Sequence, residues 1–120
     1  MLSDIQIKKK IDSLSIKLNL GNFQEVISET SVLLKKNKHQ VFFNILCLAY
    51  QGIKEFGKSE AVMNEALKLN PNNPYFLNNM GTTQHKMGNF TAAEDYFLRG
   101  LKIVPNYINV LNNLGNLKRD

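Results

Sequence analysis

Apolar side chains recur along this chain at helical spacing, in stretches of similar length separated by glycine, asparagine and proline. Residues 3–20 place Ile7, Ile11, Leu14 and Leu18 on one face, with Ser3 or Asp4 able to cap the start and Gly21-Asn22 as the turn. A second helix is predicted over 23–36, with Val26, Ile27, Leu33 and Leu34 inward. Residues 40–52 are the most apolar and, taken alone, also fit a buried strand. Phe43, Leu46 and Tyr50 share a helical face, however, and Gly52 is expected to close that helix. Helices follow over 55–69, 75–87, 90–103 and 107–118. Asn70-Pro71-Asn72-Asn73-Pro74, Gly88-Asn89 and Pro105 stand between them, because proline cannot continue a helix and glycine accepts positive φ.

The stretches repeat. Leu77-Asn78-Asn79-Met80-Gly81 returns 34 residues later as Leu111-Asn112-Asn113-Leu114-Gly115. The same step takes Pro71-Asn72 to Pro105-Asn106, Phe56 to Phe90 and Leu67 to Leu101. A fixed period of this size means stacked helical hairpins, each covering its neighbour's apolar face. Gly81, Gly115 and Cys47 occupy one place in the first helix of a hairpin, where a small residue admits a close second helix. Ser59, Ala93, Ala66 and Gly100 do the same from the second helix, and Phe56, Phe90, Met63 and Phe97 fill the space that remains. The expected fold is all-α, a superhelical stack of about seven helices. The chain reads as a single domain over 1–120, with repeats at about 7–39, 40–73 and 74–107 and a final helix at about 107–118.

Composition narrows the function. The net charge of +5 is mostly lysine, clustered at Lys8-Lys9-Lys10 and Lys35-Lys36-Lys38. Such runs suit solvated faces and helix ends. A nucleic-acid or anionic-membrane surface would carry more arginine than Arg99 and Arg119, and exposed aromatics besides. One cysteine, Cys47, excludes an intrachain disulfide framework. No apolar run reaches membrane-spanning length and no secretory leader opens the chain, so a cytoplasmic location is expected. His39 and His85 fall in different repeats with no nucleophile or metal set at fixed spacing. Neither catalysis nor a cofactor is expected.

The motif residues resemble the tetratricopeptide repeat family. Leu77, Met80-Gly81, Ala93, Phe97, Gly100 and Pro105 match its pattern, with Gln84 where tyrosine is usual. The preceding repeat matches at Phe43, Leu46, Tyr50, Ala66 and Pro71, with Cys47 for glycine and Ser59 for alanine. In the first repeat Gly21-Asn22-Phe23, Val26 and Leu34 align one residue short, and Lys38 replaces the proline.

The resemblance implies a right-handed superhelix with a concave groove, lined by the first helices, that holds a peptide or extended protein segment. Carried onto this sequence, the groove residues are Asn44, Tyr75, Asn78, Asn79, Thr82, His85, Asn112, Asn113 and Asn116, with Ile45, Leu48 and Gln51 beside Asn44. Asn109 joins them from the last helix, and Lys8, Ile11, Asp12 and Ser15 from the first repeat. An asparagine amide offers both a donor and an acceptor, so it pairs with a peptide unit whatever the side chain. Asn79 and Asn113, one period apart, resemble the asparagine ladder in the repeat superhelix of O-linked N-acetylglucosamine transferase-type proteins. The competing reading is that these asparagines are solvated surface residues. The carboxylate clamp of chaperone-binding repeats is not expected, because Ile11, Ser15, Ile45, Tyr75 and Asn79 hold its places and none is cationic.

The leading expectation is a non-catalytic scaffold whose partner is a protein or peptide, with neither nucleic acid nor membrane involved. Two alternatives stand beside it. Leu111, Leu114 and Leu117 are expected to face an absent neighbour, which suits a piece of a longer enzyme of glycosyltransferase or sulfotransferase type. The same uncovered leucines suit self-association through the C-terminal helix.

Overall fold

The computed structural model describes residues 2–119 and contains seven helices and no strand among them. They are α1 (Asp4–Asn19), α2 (Phe23–Lys36), α3 (Gln40–Gly52), α4 (Phe56–Leu69), α5 (Pro74–Lys86), α6 (Phe90–Ile103) and α7 (Ile108–Arg119). The fold is all-α and solenoid-like. Each predicted helix is present with ends within a residue of expectation, and the apolar run at 40–52 is helical.

The helix ends follow from local chemistry. Ser3 caps α1 in a capping box: its hydroxyl accepts from the Gln6 amide while the Gln6 side chain accepts from the Ser3 amide. At α3 the His39 ring nitrogen Nδ1 accepts from the Val41 amide at 3.2 Å. Asn73 caps α5, its Oδ1 accepting from Tyr75 and Phe76 at 2.9 and 3.1 Å, with Pro74 at the first helical position, where no N–H is needed. The turns after α1 and α5 use Gly21 at φ +80° and Gly88 at φ +83°. Between α3 and α4 the corresponding left-handed residue is Lys54, at φ 61°. Gly52 ends α3 as expected, and it has a second task. A Cβ there would lie 2.5 Å from the Phe23 ring, so glycine lets α2 approach the end of α3.

The helices form two compact units, Met1–Val62 and Met63–Asp120, with the boundary inside α4. In the first unit α3 packs on α2 and α1. Its core is built from Leu14, Val26, Leu34 and the apolar face of α3, including Phe42, Phe43 and Cys47. Ile45 also belongs to this core at 4% exposure, which corrects its expected place on a binding surface.

In the second unit α5 and α6 form the tightest pair and α7 packs on both. The Phe97 ring sits directly on Gly81, where an added Cβ would collide with it. Gly115 occupies the same motif place on α7, yet nothing lies within 4 Å of a Cβ there. The motif therefore repeats, but the close approach it permits is used only at Gly81. The expected uncovered face of α7 is also corrected. Leu114 and Leu117 are buried with Ala93, Phe97 and Val110, while Leu111 is half-exposed. This packing fixes the rotation of α7 against α5 and so positions the polar face described next.

Candidate functional site

The second unit gathers most of the predicted site residues on α5 and α7. The side-chain amide of Asn113 donates to Asn78 Oδ1 at 2.8 Å and lies 3.5 Å from Thr82 Oγ1. The burial of Val110, Leu114 and Leu117 turns Asn113 toward α5, and all three bonded side chains are half-buried. Asn113 thus bonds Asn78, the chain neighbour of its repeat equivalent Asn79. Asn79 is half-buried, and its backbone carbonyl accepts from the Thr83 hydroxyl at 2.9 Å.

Beside this amide pair is a cleft of about 370 Å³ lined by Thr82, His85, Lys86, Asn113, Asn116 and Arg119. Four of these were expected from the sequence; Lys86 and Arg119 were not. Their signal is spacing: Lys86 follows His85 at the end of α5, and Arg119 lies one turn beyond Asn116, to which its guanidinium donates. Among the described residues no acidic side chain lines the cleft, and its charged lining side chains, Lys86 and Arg119, are cationic. The His85 ring meets Phe90 edge-on, with centroids 5.7 Å apart. Gln84, in the usual tyrosine place, is buried and accepts from the Asn89 side chain at 2.8 Å, tying α5 to its turn.

The remaining residues take no part in the amide pair. Tyr75 is exposed and meets Tyr107 edge-on at 5.8 Å; burial, then the neighbouring Tyr75 hydroxyl, raises the Tyr107 pKa above the ordinary phenol value. Asn112 is exposed on α7. Asn44 is half-buried on α3 in the first unit. Cys47 is fully buried, with the Gln51 amide 3.6 Å from its sulfur. Among the described residues no cluster of histidine, cysteine and acids is arranged to hold a metal ion. No helix of these residues is long and apolar enough to cross a membrane.

The helical pairs and this polar face together define an α-helical repeat protein. Models of the tetratricopeptide repeat match residues 39–73 and 62–95. Comparison with curated protein sequences gives no match. Solved structures agree on the fold. The first TPR domain of human RPAP3 is similar at 19% identity and a TM-score of 0.85, over 91% of this chain and 87% of that one. The first TPR of Spaghetti (RPAP3), bound to the HSP90 peptide SRMEEVD, has 19% identity and a TM-score of 0.82, over 90% and 86%. The translocator chaperone SycD of Yersinia enterocolitica type III secretion has 13% identity and a TM-score of 0.83, over 98% and 87%. These matches support the repeat and its fold without singling out the transferase-type superhelix.

Proposed function

We propose that this protein is a non-catalytic interaction module and that the α5–α7 face of its second unit holds an extended peptide. The observation that carries the reading is the Asn78–Asn113 pair. The bond between the two amides fixes both planes and spends one acceptor and one donor. Among the described residues, Asn113 Oδ1 and Asn78 Nδ2 have no protein partner. One accepts and the other donates, which matches the N–H and C=O of a peptide backbone. The cationic cleft alongside suits an acidic side chain or a terminal carboxylate of the same peptide. That departs from the expectation of no clamp, because the cations come from Lys86 and Arg119 and not from the family's usual places. A peptide complex of a similar fold, the one with SRMEEVD, is consistent with this use.

The test starts from peptides selected against the protein from a random display library. The double variant Asn78→Ala, Asn113→Ala is expected to bind the selected peptides about tenfold more weakly, with little change in melting temperature. Equal affinity for both proteins, measured by calorimetric titration, would overturn the assignment of the site.

A further inference from the structure

We infer that the first unit carries a second docking surface, separate from the asparagine face, whose occupant is an acidic amphipathic helix of a partner protein. The surface is a groove between α1 and α2. Two adjoining cavities, of about 660 and 960 Å³, share Lys10, Val32 and Leu33, so the groove is continuous. It extends from Leu2, just ahead of α1, to Lys17 on that helix, with Gln6 to Lys17 spanning roughly 16 Å at the helical rise.

Three features select the occupant. The first is shape. Gln6 and Lys10 lie one turn apart on the α1 side, with Leu2 just ahead of the helix, and Ser28, Val32 and Lys36 follow at four-residue steps on the α2 side. Two helices side by side leave a groove of the kind that takes a third helix. The second is the floor. Val32 is 54% exposed, and Leu33 and Leu2 are half-buried beside it, so an apolar strip stands uncovered between polar rims.

The third is charge. Lys17, at one end, is neutralised by Glu29 at 2.6 Å and Glu25 at 3.0 Å. Lys9, Lys10 and Lys36 have no acidic partner among the described residues. An apolar stripe flanked by glutamate or aspartate on a partner helix complements both floor and rim. Nucleic acid would leave the apolar floor unused. A bilayer would need a wider apolar surface than the strip of Val32, Leu33 and Leu2 provides.

The experiment uses the full chain and a fluorescent synthetic helix of about five turns, with leucine on one face and glutamate on both flanks. The control peptide has the same composition in scrambled order. The designed peptide is expected to bind with a gain of helical circular dichroism, and to weaken as salt is raised. The variant Lys9→Glu, Lys10→Glu, Lys36→Glu is expected to lose about tenfold or more in affinity while keeping the parent's helical spectrum. The Asn78→Ala, Asn113→Ala variant is expected to bind the helix as the parent does, which separates this surface from the peptide face. Equal binding of the scrambled peptide, or unchanged affinity in the charge-reversed variant, would overturn the inference. So would sedimentation showing that the groove is filled by a second copy of the chain. Binding to phosphatidylserine vesicles but not to the peptide would overturn it in favour of a membrane.

Discussion

Lys54 shows what a single residue costs in this fold. It takes the left-handed conformation that glycine takes at Gly21 and Gly88, and a side chain there crowds the following carbonyl. Lys54→Gly is expected to stabilise the protein by about 1 kcal/mol, since relief of that crowding exceeds the added chain entropy. Urea unfolding measures it, and a lower midpoint would show that Lys54 is held by something other than its backbone. Residue identity alone does not reveal this position, because lysine has no preference for positive φ. Gly52 is the helix stop that the sequence indicated, but nothing in its spacing shows that it also makes room for Phe23. The same limit applied to the asparagines. Which of Asn78 and Asn79 reaches Asn113 depends on how α7 is rotated, and neighbouring residues of one type do not encode that.

At the scale of elements, periodicity was fully informative about where helices form. Apolar spacing and the glycine and proline stops located the seven helices of the described residues, because these are local signals. It was less informative about what each helix packs against. Gly81 and Gly115 are one motif residue in two surroundings, and their substitution separates them. Gly81→Ala drives a methyl group into the buried Phe97 ring, and a loss of about 1–3 kcal/mol is expected, offset in part by helix propensity. Gly115→Ala meets open space and is expected to gain up to about 1 kcal/mol from propensity alone. Thermal unfolding of the two variants should move in opposite directions. A common direction would mean that α7 does not lie where the structure puts it. The burial of Leu114 and Leu117 belongs to the same lesson, since a leucine's spacing says that it faces a neighbour but not which one.

Over the whole molecule, stability in repeat proteins is a sum of local terms. Those terms are unequal here. Leu14 is the only buried residue of α1, whereas α3 and α5 each bury six. Hydrogen exchange should therefore find the amides of α1 opening well before those of α3 and α5. Equal protection across the three helices would contradict this ordering. The two proposed surfaces then differ in character. The α1–α2 groove lies on the more weakly held part of the first unit. The asparagine face is carried by α5, the central rod of the second.

The Phe97 ring resting on Gly81 has a consequence for that face. Its thickness sets how closely α5 and α6 lie, and α6 in turn carries most of the packing of α7. The Asn113 amide hydrogens thus serve as a gauge at the far end of a short lever, and their nuclear magnetic resonance shift reads out the spacing of the rods without any added label.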